Sequence, residues 1–319
     1  MNEIYLLAAA ILFAFITGAN DGASLISLNL NLRVFKPITA SLILVAAIIF
    51  IPALLGTAVA TTFALGLTKF SQTGGSSALF CAVLVTVGLI LFFTRLHIPT
   101  SVTQALTGAI IGIGLGRGLA VDGTAALRVV TILIIAPVGA FLFSILFGLF
   151  LQNLHHHLTN RIYLKSLWTS SFLLQCLAYA TNDAQKMIAV FIISAGLIGT
   201  SGHVEIVPQI QLAIAAAFLA GIFAGVSGLG GRITKLLPIR SLNATTAGFA
   251  ASSVVLASSL IGSPVSMAQA QAASLVGSEV VVSSYKRIRW GQVWRIVSVW
   301  FTTLPSALIL AFLVGLATK

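Results

Sequence analysis

The chain has 319 residues, of which 58% are hydrophobic and only 7% charged, and its mean hydropathy is +1.09. A soluble domain carries about 25% charged residues, so a soluble core is excluded; a membrane barrel, with its short alternating segments, is excluded as well. The net charge of +11 does not signal nucleic acid, because the basic residues lie between apolar runs instead of forming one patch.

Ten apolar runs of membrane length predict an all-α polytopic membrane protein. In the first half they cover about 4–32, 38–62, 78–94, 99–116 and 127–154; in the second, 167–200, 208–226, 242–262, 264–282 and 293–316. The N-terminus, Met1-Asn2-Glu3, lacks the basic region of a signal peptide, so the first run is read as a retained span. The polar connection 155–166 divides a first repeat, 1–154, from a second, 167–319. Segments 4–32 and 167–200 are too long for one straight span. Each carries an Asn-Asp pair near its middle, so each is predicted to be a broken helix or a helix with a re-entrant hairpin.

Basic residues test the order of spans. Arg33/Lys36, Arg95, Arg161/Lys165, Arg232/Lys235/Arg240 and Lys286/Arg287/Arg289 all fall on one face when spans are counted. That face is predicted to be cytoplasmic, with both termini extracytoplasmic. Five spans per half is an odd number, so the second half runs inverted through the membrane. Two inverted-topology repeats of about five segments, with a site at their interface, are the architecture of secondary transporters.

Motifs recur in the same order. Asn20-Asp21 returns as Asn182-Asp183, 162 residues later, and Pro99-Thr100-Ser101-Val102-Thr103-Gln104 returns as Pro264-Val265-Ser266-Met267-Ala268-Gln269, 165 residues later. Gly108–Gly112 resembles Ala273–Gly277, and Arg128–Pro137 resembles Arg295–Pro305. Both copies of the second motif read Pro-x-Ser-x-x-Gln. Proline suits a helix start, and Ser and Gln then share a face. A helix that begins inside the membrane aims free N–H groups and its positive dipole end at whatever fills the cavity, which makes an anion site. The candidate anion ligands are Thr100, Ser101, Thr103, Gln104, Ser266, Gln269 and Lys186.

The chain has six acidic residues, and two of them are in these pairs. A carboxylate at mid-bilayer costs about 2.5–3.5 kcal/mol on insertion scales, which makes Asp21 and Asp183 functional candidates. With Asn20 and Asn182 they supply oxygens for a coupling cation, Na⁺ or H⁺; a possible Na⁺ would sit at Asp21 and Asp183. Lys186 lies three residues after Asp183 and can neutralise it or touch the anion. The plainer readings are an interhelical clamp for Asn-Asp, a packing kink for Pro-x-Ser-x-x-Gln and a structural ion pair for Asp183–Lys186. His155–His157 reads as a solvated run, His97 and His203 have no partner at ligand spacing, and Cys81 and Cys176 read as small apolar fillers. Gly228–Gly231 follows no strand, so it is not a phosphate loop. No nucleophile–base set and no charged pore ring appears, which argues against an enzyme and against an anion channel.

These motifs resemble the inorganic phosphate transporter (PiT) family, which includes sulfate permease members. Gly18–Asp21 resembles its first G-A-N-D signature and Thr181–Lys186 its second; Gly231–Pro238 resembles a loop of the form G-K-K-I-T-K-L-x-P, and Arg295–Pro305 the closing segment. The resemblance implies cation-coupled uptake of a tetrahedral oxyanion across the inner membrane, no cofactor, and a homodimer. It assigns Asn20, Asp21, Asn182 and Asp183 to cation and substrate coordination, and Ser101, Thr103, Gln104, Ser266 and Gln269 to the anion pocket. Where the family often has P-V-S-T-T-H, both histidines are replaced here, by Gln104 and Gln269. Phosphate is the expected substrate and sulfate the alternative.

Overall fold

The computed structural model describes residues 3–32, 34–96, 100–155, 161–197, 204–228, 241–282 and 288–319. The Gly231–Pro238 loop, His97, Pro99, His156, His157 and His203 lie outside the described residues. The described chain is helical: α1 Glu3–Thr17, α2 Ala23–Leu32, α3 Pro37–Leu55, α4 Ala58–Thr61, α5 Gly75–Arg95, α6 Val102–Arg117, α7 Gly123–His155, α8 Arg161–Tyr179, α9 Gln185–Ser194, α10 Pro208–Gly228, α11 Ser241–Leu260, α12 Met267–Val282 and α13 Trp290–Ala317. Thr68 and Val121 form an isolated antiparallel bridge.

The two long Asn-Asp segments differ from the expected breaks and hairpins. A π-helical turn, Gly18–Gly22, joins α1 to α2, and a second, Ala180–Ala184, joins α8 to α9. The helix runs on through each turn, so one extra residue per turn does the work expected of a break. The first long helix starts where the second ends. Glu3 of α1 and Ile193–Gly196 at the end of α9 line one pocket of about 550 Å³, together with Phe70–Gln72 and Gly74–Ser77. The two Asn-Asp helices therefore run in opposite directions.

The ten expected spans are reduced to six by length and composition among the described residues: the α1–α2 rod, α3, α5, α7, α10 and α13. Of the other helices, α8 exposes Tyr163 and Leu173 and α11 exposes Leu260, whereas α6 and α9 are interior. Every residue of α9 is buried, and so is nearly all of α6. α6 and α12 have 16 residues each, short of the ~20 that span hydrocarbon. Hydropathy does not separate a helix facing lipid from one sheathed in other helices, so the ten runs look alike in the sequence.

Packing crosses between the halves. α6 lies on α13 and α12 on α7; the Gly18–Gly22 turn lies on α10 and the Ala180–Ala184 turn on α3. Glycine sets the close approach. A Cβ on Gly112 would sit 2.1 Å from the Leu308 carbonyl oxygen, and one on Gly18 2.2 Å from that of Phe218. Small-residue faces of this kind let membrane helices approach at backbone distance.

Candidate functional site

Each Asn-Asp turn holds the residue before an interior helix. Asn20 Nδ2 donates to Asp21 Oδ1 at 2.7 Å and to the Thr100 carbonyl at 3.4 Å. Asn182 Nδ2 donates to Asp183 Oδ2 at 2.9 Å and to the Val265 carbonyl at 2.7 Å, and its Oδ1 accepts from Val265 N–H at 3.1 Å. Thr100 and Val265 occupy the same place in the two Pro-x-Ser-x-x-Gln motifs. The two asparagines thus make equivalent contacts, the second tighter than the first.

Lys186 ties the halves together. Its Nζ donates to Asp183 Oδ1 at 2.7 Å, to Thr103 Oγ1 at 2.5 Å and to the Val265 carbonyl at 2.9 Å. Thr103 Oγ1 in turn donates to the Val265 carbonyl at 3.1 Å. Asp183 and Lys186 are each 1% exposed. Taking two ions out of water costs several kcal/mol each, offset here by a short contact and by hydrogen bonds filling the ammonium's three donor positions. Asp21 is also buried, and among the described residues it forms no ion pair. Asp21, Asp183 and Lys186 thus place two carboxyl groups and one amine in the same buried centre.

The Pro-x-Ser-x-x-Gln motifs are shifted from expectation. Proline does not open the second helix: Pro264 lies outside it, and Ser266 is the cap of α12, accepting from Gln269 N–H at 3.3 Å. Ser101 caps α6 in the same way, accepting from Gln104 N–H at 3.1 Å. A serine cap satisfies one backbone N–H of the first turn and keeps its own O–H to donate. Thr100 Oγ1 pairs with Thr303 Oγ1 at 3.0 Å, which brings in α13.

Gln104 and Gln269 are buried, and Gln104 Oε1, Gln269 Oε1 and Gln269 Nε2 have no hydrogen-bond partner. Both line one cavity of about 510 Å³ between α7, α12 and α13, whose other walls are largely apolar. Buried amides normally find partners, and leaving one unmet costs about 1–3 kcal/mol. Orphaned amides at two neighbouring helix starts are suited to receive a polar ligand.

Three contributors carried no assigned role in the sequence. Gln185 Oε1 accepts from Val59 N–H at 2.8 Å and Ala60 N–H at 3.1 Å, while its Nε2 donates to the Gly56 carbonyl at 2.8 Å; it caps α4 from the neighbouring helix. Tyr179, fully buried and one turn before Asp183, has an unpartnered hydroxyl and packs on Phe218 at 5.5 Å between ring centroids. Thr303 is the third. Gln185 and Thr303 lay inside quoted motifs, but their partners are far away in sequence. Among the described residues no group of three or more His, Cys, Asp or Glu could hold a metal.

Three comparisons bear on this arrangement. The family described as "Phosphate transporter family" matches residues 17–175 and 156–311. A "Probable low-affinity inorganic phosphate transporter" of Bacillus subtilis (strain 168) is 29% identical, over 95% of this chain and 92% of its own length. Proteins of the same description from Rhizobium meliloti (strain 1021) and Mycobacterium tuberculosis (strain ATCC 25618 / H37Rv) are 28% and 30% identical, over 97% and 98% of this chain and 94% and 77% of their own lengths. A solved structure, "The sodium-dependent phosphate transporter", superposes with a TM-score of 0.81 over 99% of this chain and 98% of its own, at 16% identity, and so shares the fold.

Proposed function

We propose, from the premise that this chain belongs to the phosphate transporter family, that it is a secondary transporter which imports inorganic phosphate together with a cation. The observation that carries the reading is the meeting of two buried helix starts, α6 and α12, each with an orphaned glutamine amide, at a centre that also holds Asp21 and the Asp183–Lys186 ion pair. Capped N-termini and amides supply donors for an oxyanion. The charge at the centre explains the cation. A dianionic phosphate is repelled by an ionised carboxylate beside it, and a cation or proton at Asp21 and Asp183 removes that repulsion.

In this reading the residues take the following roles. Asn20, Asp21, Asn182 and Asp183 hold the coupling ion, Na⁺ or H⁺. Thr100, Ser101, Thr103, Gln104, Ser266, Gln269 and Lys186 face the anion. Residues 1–154 and 167–319 are inverted repeats joined by 155–166. The antiparallel Asn-Asp helices and the exchanged packing of α6 on α13 and α12 on α7 support that division. Glu3 shares a pocket with Phe70–Gln72, and Arg117 donates to Thr318 Oγ1 at 2.8 Å, which supports placing both termini on one face, the extracytoplasmic one. The inner membrane is the expected location, and a homodimer is the assembly that the family resemblance implies.

The test is uptake of labelled phosphate by proteoliposomes containing wild type, Asp21→Asn or Asp183→Asn, under an imposed Na⁺ or H⁺ gradient. Loss of gradient-driven accumulation in both variants is expected. Wild-type rates in both would remove the coupling role from these carboxylates.

A further inference from the structure

The polar cavity of about 550 Å³ between the start of α1, the start of α5 and the end of α9 has no part in the transport centre. Ser71, Ser76, Ser77 and Ser194 line it. Ser194 is 3% exposed, and its hydroxyl has no hydrogen-bond partner among the described residues. Buried hydroxyls normally find a partner, so one left open toward a cavity is suited to a polar ligand.

Three features set the field in this cavity. The first is α5, a helix of 21 residues that starts in the cavity wall after Gly74, a cap residue without a side chain to offer. Gly75 N–H donates to the Gln72 carbonyl at 2.9 Å and Ala78 N–H to the Gly74 carbonyl at 3.0 Å. Among the described residues the N–H groups of Ser76 and Ser77 make no such bond. Open N–H groups and the positive end of a helix dipole favour an anion. The second feature is Arg117, which donates to the Gly74 carbonyl at 3.3 Å and to Ser77 Oγ from behind the same wall. Among the described residues it has no carboxylate partner. The third is Glu3, an acid in a cavity that otherwise favours anions. A carboxylate repels an oxyanion unless the oxyanion brings a proton to share, and the hydrogen bond is then a strong one. Monohydrogen phosphate carries such a proton. Sulfate does not, and neither does the phosphodiester of a lipid headgroup.

We propose that this cavity is a second, outer binding site for inorganic phosphate, in which Ser76, Ser77 and Ser194 donate to the anion and Glu3 accepts its proton. Its role as an antechamber rests on the transport reading. Ser194 ends the helix that carries Lys186, eight residues away and about 12 Å along the axis at about 1.5 Å per residue. Met187, Val190 and Ile193, which lie between them, are buried. This apolar plug separates the outer site from the centre, so the anion is held at the extracytoplasmic mouth until the plug parts.

The experiment follows maleimide labelling of Ser71→Cys, at the exposed rim, in full-length protein with Cys81 and Cys176 replaced by alanine, in phosphatidylcholine nanodiscs. Saturating inorganic phosphate is expected to slow labelling about tenfold, in proportion to the fraction of empty sites, and sulfate is expected to leave it unchanged. The slowing is expected to persist when Asp21→Asn or Asp183→Asn is added, and sulfate is expected to protect once Glu3→Gln is added. Rates that ignore phosphate overturn the site. Protection lost with Asp183→Asn overturns it too, because the effect then originates at the centre. Equal protection by sulfate with Glu3 in place, or slowing by phosphatidylglycerol in the nanodisc without phosphate, assigns the cavity to anions in general or to lipid headgroups and overturns the proposal. Phosphate protection in a protein that accumulates no phosphate in proteoliposomes removes the transport reading and supports this site. If Ser71→Cys does not assemble, Ser194→Ala gives the same reading: the KM of influx is expected to rise about fivefold, the worth of one hydrogen bond, with kcat and the KM of efflux unchanged. An unchanged influx KM overturns the proposal.

Discussion

Asn182 and Val265 are joined at two points: the asparagine amide donates to the Val265 carbonyl at 2.7 Å and accepts from its N–H at 3.1 Å. The contact fixes the start of α12 to the π-turn of the opposite Asn-Asp helix. It also aims the Val265 carbonyl at Lys186 and Thr103, so one peptide group organises three side chains. The equivalent Asn20–Thr100 contact, at 3.4 Å, is the looser of the two.

Asn182→Ala removes both hydrogen bonds and strands the buried Val265 N–H, while the Val265 carbonyl keeps Lys186 and Thr103. At about 1–3 kcal/mol for each unmet buried group, the melting temperature of the detergent-solubilised protein is expected to fall by several degrees. Asn20→Ala, which loses one long contact to Thr100, is expected to shift it less. Thermal unfolding followed by intrinsic fluorescence ranks the two, and equal shifts would mean that the two clamps carry equal load.

Lys186→Met leaves Asp183 buried without its partner. Breaking a buried pair from one side costs about 3–5 kcal/mol, so the single variant is expected to express poorly and aggregate. Adding Asp183→Asn removes the stranded charge and is expected to restore a monodisperse protein that does not transport. Size-exclusion profiles of the single and double variants, read beside phosphate uptake, check both halves of that expectation.

Gly18→Ala places a methyl group 2.2 Å from the Phe218 carbonyl oxygen, while at Gly139 nothing lies within 4 Å of an added Cβ. Overpacking of this kind costs about 1–3 kcal/mol, because backbone atoms cannot swing aside as a flexible side chain does. Gly18→Ala is expected to separate α1 from α10, lowering stability and uptake together. Gly139→Ala is expected to behave as wild type in both assays.

Gln185→Ala tests a role that acts through another element. It removes three hydrogen bonds to Gly56, Val59 and Ala60. Faster proteolysis or hydrogen exchange confined to the α4 segment is expected, with phosphate affinity little changed. A large rise in KM with unaltered exchange would move Gln185 into the anion site instead.

What the sequence disclosed follows from cost. A carboxylate inside the membrane is conspicuous, so Asp21, Asp183 and the i,i+3 partner Lys186 stood out, and the structure brings the latter pair to 2.7 Å. Pro-x-Ser-x-x-Gln was legible as a helix start, though Ser266 and not Pro264 marks the boundary. The π-turns were not legible, because one extra backbone residue leaves no compositional trace. Gln185 was hidden for a different reason: its partner Val59 is 126 residues away, and nothing local announces it. Interior helices such as α6 looked like spans because burial in protein and burial in lipid select the same apolar residues.

The most direct measurement is accumulation of labelled phosphate by purified protein in proteoliposomes, under inward Na⁺ and inward H⁺ gradients, with sulfate, arsenate and molybdate as competitors. The account predicts accumulation above the external concentration that collapses when the cation gradient is dissipated, and that arsenate inhibits while sulfate does not. Phosphate flux that only equilibrates, whatever the cation gradient, or preferential uptake of sulfate, would contradict it.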